Sequence, residues 1–182
     1  MKNRKAENKQ SSWMPASERV WVFISLSLTV VLVLFRLWQM LHIANMDWHN
    51  RQFKEYFKSY GAIAQYVLFA VLAYYVLKLI MQKRLADRWG FLKKVTITLL
   101  RTTRKFHAPL AIAAIGLIAL HIVGAFLYGF KLDFTNISGL TAGIVLIGVP
   151  IAGFMRYRRM DRKWHLRLGL VFAALFLIHA YL

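Results

Sequence analysis

Five apolar stretches alternate with polar ones along the 182 residues, at about 20–43, 62–81, 106–130, 139–155 and 164–182. A helix crossing a ~30 Å hydrocarbon core needs about 20 such residues. No soluble domain of this length needs several near-continuous runs of that kind. The pattern therefore predicts an all-α, polytopic membrane protein with five transmembrane helices. Residues 1–19 read as a cytoplasmic basic tail and 20–182 as one membrane domain. The first run is too long for the apolar part of a cleaved signal, and no small-residue cleavage site follows it.

The connections differ in character. Residues 45–61 form a polar, aromatic link with Asp47, Trp48, His49 and Tyr56. Residues 82–105 are basic, and their partly apolar middle, 91–100, reads as an amphipathic helix lying on the membrane surface. Residues 131–138 make a short link, and Arg156 to Lys163 a second basic one. Pro109 falls in the first turn of the third span, where a missing N–H does little harm. Gly139, Gly143, Gly148 and Gly153 make the fourth span suited to close contact, either with a helix or with a flat ligand.

Charge sets the direction of the chain. The formal net charge is +18. That sign alone would suggest nucleic acid, but the distribution does not. With the N-terminus inside, the tail, the second and fourth links and Arg167 hold 19 of the 25 Lys and Arg. The outer segments hold Arg51, Lys54, Lys58 and Lys131, while Arg36 and Lys78 lie within spans. This is a positive-inside distribution. It implies a cell-membrane protein with its C-terminus outside and an inner surface that favours anionic lipid, without nucleic acid as a partner. An acidic redox partner fits the same charge. There is no cysteine, so disulfides, thiolate metal sites, iron–sulfur clusters and covalently attached haem are excluded.

Candidate chemistry lies in four of the six histidines. Arg104-Lys105-Phe106-His107 opens the third span, and Arg162-Lys163-Trp164-His165 the fifth. A second histidine follows fourteen residues later in each, at His121 and His179. Fourteen residues at ~100° end roughly 40° short of four turns, so both histidines of a helix share one face, ~21 Å apart. The two spans run in the same direction. Facing each other, they make one pair near each surface, His107–His165 and His121–His179. Neutral imidazole is an axial ligand of haem iron, so the pattern predicts two bis-histidine b haems held non-covalently. A single transition-metal site would need ligands converging within a few ångströms. A proton relay would be expected to use intramembrane Asp or Glu, and the spans have none.

Around these ligands, Arg36 is a candidate partner for a propionate of the outer haem, or it snorkels to the interface. Arg104, Lys105, Arg162 and Lys163 lie where inner-haem propionates would emerge, although the inner surface would be basic in any case. Phe106 and Trp164 pack on the inner haem or anchor the interface. Gly124 and Gly169 lie on the surface adjoining a ligand. His42 and His49 sit at the outer end of the first span, as interfacial residues or in contact with the outer haem or its acceptor.

On His107…His121, His165…His179, the His-x-x-Leu-Gly at 165–169 and the single Gly-containing helix between them, residues 104–182 resemble the ferric-reductase-like transmembrane family of b-type cytochromes. That family includes the membrane part of NADPH oxidases. The histidine spacing is also similar to that of quinol-oxidising cytochrome b complexes, but the short link before the fifth span differs from theirs. The resemblance implies electron transfer from a cytoplasmic donor through two haems to an outer acceptor, as in a ferric or similar reductase. Larger members often have six spans and carry a flavin- and NAD(P)H-binding domain after the last. Here no Gly-rich phosphate loop follows, and the expected donor is a separate protein or a membrane quinol. Two alternatives stay open: a haem-bearing anchor subunit of a partner oxidoreductase, and a haem-free scaffold or transporter.

Overall fold

The computed structural model describes residues 16–42, 48–157 and 163–182. They form five helices: α1 (Ala16–His42), α2 (Arg51–Gln82), α3 (Gly90–Gly129), α4 (Phe134–Tyr157) and α5 (Lys163–Tyr181). Among the described residues there is no strand. All five helices are long and apolar enough to cross a membrane. Arg162, Arg158, Arg159, Asp47 and the tail residues Lys2, Arg4, Lys5 and Lys9 lie outside the described residues.

Two helices are longer than the apolar pattern suggests. The Asn50 side chain accepts the Phe53 N–H at 2.7 Å and so caps α2 eleven residues before its apolar run begins. Most of the link expected before residue 61 is therefore helical. At its other end α2 closes on a Schellman motif. Leu85 N–H bonds Ile80 C=O, Arg84 N–H bonds Met81 C=O, and Arg84 takes φ 54°. Glycine usually fills that left-handed position.

The basic stretch expected to lie on the membrane surface is instead continuous with the third span. α3 has 40 residues, about 60 Å of helix. Pro109 is therefore interior to α3, where its ring removes one i→i−4 bond. Its own carbonyl accepts Ser25 Oγ–H from α1 at 2.8 Å.

The helices pack as two antiparallel hairpins, α2–α3 and α4–α5, with α1 laid against α3. α3 and α4 touch only sparsely. The α2–α5 seam is joined by Gln65 Nε2–H to Tyr181 Oη (3.1 Å) and by Phe69 edge-on to Phe176. A layer of Leu68, Ala114, Ala142, Leu146, Phe172 and Phe176 fills the centre of the four-helix part. A second cluster, Met40, Phe53, Phe57, Tyr60 and Leu120, joins α1 to the α2–α3 hairpin near one end.

Candidate functional site: two facing histidine pairs

The expected pairings are the ones present. The rings of His107 and His165 have centroids 6.4 Å apart, and those of His121 and His179 are 6.3 Å apart. A metal–imidazole bond is about 2.0–2.1 Å, and a ring nitrogen lies about 1.2 Å from its centroid, so a linear N–metal–N unit sets the centroids about 6.4 Å apart. Both gaps have the width of one ligated metal. The facing rings are inclined at 85° and 59°, and both separations also fall within the range of direct ring contact.

The orientation of each ring is fixed from behind. His121 Nδ1 lies 3.2 Å from Phe57 C=O and His107 Nδ1 3.3 Å from Val71 C=O, both on α2. His179 Nδ1 lies 3.0 Å from Thr135 C=O and His165 Nδ1 3.0 Å from Val149 C=O, both on α4. A carbonyl only accepts, so these contacts require Nδ1–H. A neutral ring then carries its lone pair on Nε2. This is the outer-shell bond that orients metal-ligating histidines. Ser138 Oγ is a further contact of His179 Nδ1, at 3.4 Å.

The four carbonyls repeat the histidine spacing. Phe57 and Val71 are fourteen residues apart, as are Thr135 and Val149. An antiparallel hairpin keeps such registers in step, because fourteen residues forward on one helix match fourteen back on its neighbour. A helical carbonyl points toward residue i+4, and a side chain there would screen it. At three of the four positions that residue is glycine. A Cβ on Gly61 would lie 2.8 Å from His121 Nδ1, one on Gly139 2.6 Å from His179 Cε1, and one on Gly153 3.3 Å from the His165 ring. The fourth position is Tyr75, and the Val71–His107 contact there is the longest of the four. Tyr74 also packs on His107, at 5.3 Å between centroids.

The His121–His179 level opens into a cavity of about 750 Å³ walled by α2, α3, α4 and α5. That is within the range of small-molecule and cofactor sites. Lys54, Lys58 and Lys131 line it, with Asp133 as the acidic residue in its wall. These lysines read in the sequence only as outer-segment charges. A smaller cavity beside it is lined by His49, Tyr128, Gly129, Phe130 and Lys131.

The remaining sequence candidates have other neighbours. Arg36 donates to Gln39 Oε1 (2.8 Å) and Tyr56 Oη (3.4 Å) and does not line the larger cavity. Arg104 is exposed. Lys105 sits over the Trp21 and Phe106 rings, and Phe106 packs edge-on against Trp21 of α1. Trp164 is exposed, beside Arg167. Gly124 faces Phe57, so its small size serves the α2–α3 contact, whereas Gly169 faces open space. His42 stacks on Trp38 of its own helix, and His49 lies against Tyr128.

Among the described residues no three or more His, Asp or Glu side chains converge as a bare metal ion would require. An axial pair for a macrocycle that brings its own four nitrogens needs only two. No family model matches the chain, and neither the curated proteins nor the solved structures give a match.

Proposed function

We propose that the chain is the membrane electron conduit of a transmembrane oxidoreductase, holding one b haem at His107–His165 and a second at His121–His179. The observation that carries this reading is the pair of imidazole gaps, 6.4 and 6.3 Å between centroids. Each gap is flanked by rings whose Nδ1 is engaged by a backbone carbonyl. Haem iron, when bound, supplies a one-electron carrier at each level. The chain's own residues do the rest. The carbonyls of Phe57, Val71, Thr135 and Val149 hold the rings in the ligating tautomer. Gly61, Gly139 and Gly153 give the rings access to three of those carbonyls. Lys54, Lys58 and Lys131 offer cations to carboxylates within the cavity at His121–His179. Arg36 would act at that level only from beyond Tyr56, and Arg104 would act on propionates of the other haem.

In this reading electrons enter at His107–His165 from a cytoplasmic protein or a quinol and leave at His121–His179 to an outer acceptor, as in the ferric-reductase-like proteins the sequence resembles. The test is haem content and the reduced-minus-oxidised spectrum of the purified wild type beside His121→Ala and His165→Ala. Two haems in the wild type and one in each variant are expected. A wild type without a Soret band would refute the proposal and return the chain to the scaffold or transporter reading.

A further inference from the structure

The α2–α3 hairpin reaches past the histidine levels on both sides of the bundle, and further on the His107–His165 side. Beyond His121, α3 runs eight residues to Gly129, about 12 Å. Beyond His107, it runs seventeen residues back to Gly90, about 25 Å. The α4–α5 hairpin is shorter there. α4 ends eight residues past Val149, and α5 starts two residues before His165. The α2–α3 hairpin therefore overhangs the His107–His165 level.

The overhang is basic and apolar at once. Residues 82–105 hold eight cations, Lys83, Arg84, Arg88, Lys93, Lys94, Arg101, Arg104 and Lys105, against Asp87 alone. All eight are exposed, and Asp87 is already paired with Lys93 at 2.9 Å. Leu85, Trp89 and Phe91 are 70, 67 and 76 % exposed. Aromatic and Arg side chains together are the composition of a protein-binding surface.

A membrane surface attracts Arg101, Arg104 and Lys105, which lie six residues or fewer from His107, but the helix carries Lys93, Lys94 and the turn before them beyond it. With the two histidine levels centred in the bilayer, the hydrocarbon ends ~5 Å beyond His107 and the headgroups some 5–8 Å later. Gly90 stands more than 10 Å past them. The Trp21–Phe106 contact, level with His107, suits that centring as part of an interfacial aromatic belt.

We infer that this overhang is the docking surface for a soluble, acidic electron-donor protein, which it seats beside the His107–His165 level. The inference rests on the electron-conduit reading and names its donor class. The reduced donor would give up one electron to the haem iron that His107 and His165 would hold. No atom or proton is exchanged. Opposite charge raises the encounter rate, and Trp89, Phe91 and Leu85 supply the short-range contact.

The test uses the full chain in phosphatidylcholine nanodiscs, with flavodoxin as the acidic one-electron probe. Binding of oxidised flavodoxin and the rate of haem reduction by its reduced form are measured against salt. In the wild type both should fall at least about tenfold as ionic strength rises from low to physiological. Arg88→Glu/Lys93→Glu/Lys94→Glu should lose binding and be at least about tenfold slower at low salt, with a flat salt profile, while dithionite still reduces it fully. Trp89→Ala should weaken binding about tenfold and leave the salt slope unchanged.

Wild-type binding that ignores salt, or a charge-reversed variant that binds as well as wild type, overturns the inference. So does a variant that loses only adhesion to phosphatidylserine vesicles, since the overhang would then be a lipid contact. A chain without haem would refute the conduit reading, and flavodoxin binding would still decide the docking surface on its own.

Discussion

Gly139→Ala is the most exacting test of how the rings are held. The added Cβ would stand 2.6 Å from His179 Cε1. Comfortable carbon–carbon contact begins near ~3.5 Å, so the ring must retreat by about 1 Å. The His179 Nδ1–Thr135 carbonyl contact, now 3.0 Å, would stretch to about 4 Å, beyond hydrogen-bonding range. Losing an outer-shell partner typically weakens metal binding about 10–100-fold, or about 1.4–2.8 kcal/mol. On the two-haem reading proposed above, the assay is haem titration of the apoprotein in detergent, followed by the Soret band and scored separately for the two levels. Gly139→Ala should weaken one haem by that factor and spare the other. Gly61→Ala, with its nearest contact at 2.8 Å, should act on the same haem. Gly153→Ala, at 3.3 Å, should affect the other haem and only mildly. Gly169→Ala, with nothing within 4 Å, should be neutral. Equal effects at Gly139 and Gly169, or a loss of both haems together in Gly139→Ala, would refute the seating argument.

Four further outcomes follow from the packing. Arg84→Gly should stabilise the protein by about 1 kcal/mol, since Arg84 holds a left-handed backbone at φ 54° that costs a non-glycine residue ~1–2 kcal/mol; equilibrium unfolding in mixed micelles reads this. Gly116→Ala would place a Cβ 2.3 Å from Thr29 Cγ2 and 3.1 Å from Val33 Cγ2. It should lift α1 from α3 and destabilise by about 1–3 kcal/mol, with the haem spectra of the proposed reading retained because α1 carries none of the four paired histidines. Lys58→Gln should lower affinity at the His121–His179 level about threefold, the scale of an exposed ion pair. Arg36→Gln should leave it unchanged in the same titration, because Arg36 is directed at Gln39 and Tyr56.

The histidine pairing was legible in the sequence because it depends only on covalent spacing and the parity of the spans. Fourteen residues on one helix make one face, and two spans in the same direction make levels that match. The support behind the rings was not legible. Every residue has a carbonyl, so nothing marks Phe57 or Thr135 until the antiparallel registers are known. Gly61, Gly139 and Gly153 were visible as glycines, but their four-residue offset from those carbonyls had no meaning without the register. The helix ends were also misread. Asn50 caps α2 through a single side-chain bond, and the amphipathic, basic pattern of 91–100 suits an overhanging helix as well as one lying on a surface. Lys54 and Lys58 passed as boundary charges because their place on the cavity wall depends on where α2 begins.

The central layer separates the two histidine levels. Seven residues from each histidine or its acceptor carbonyl lie Ala64, Ala114, Ala142 and Phe172, all buried. Ala114, Ala142 and Phe172 join Leu68, Leu146 and Phe176 in one apolar cluster. Ala64, Leu68, Ala142, Phe172 and Phe176 also wall the cavity at the His121–His179 level, so its inward side is apolar. On the two-haem reading, an electron passing between levels ~21 Å apart crosses about two-thirds of the ~30 Å dielectric. The membrane voltage therefore acts on that single step with roughly 1.6 kcal/mol per 100 mV. The chain would behave as a voltage-biased resistor, its flux slowed or driven by the field across the membrane.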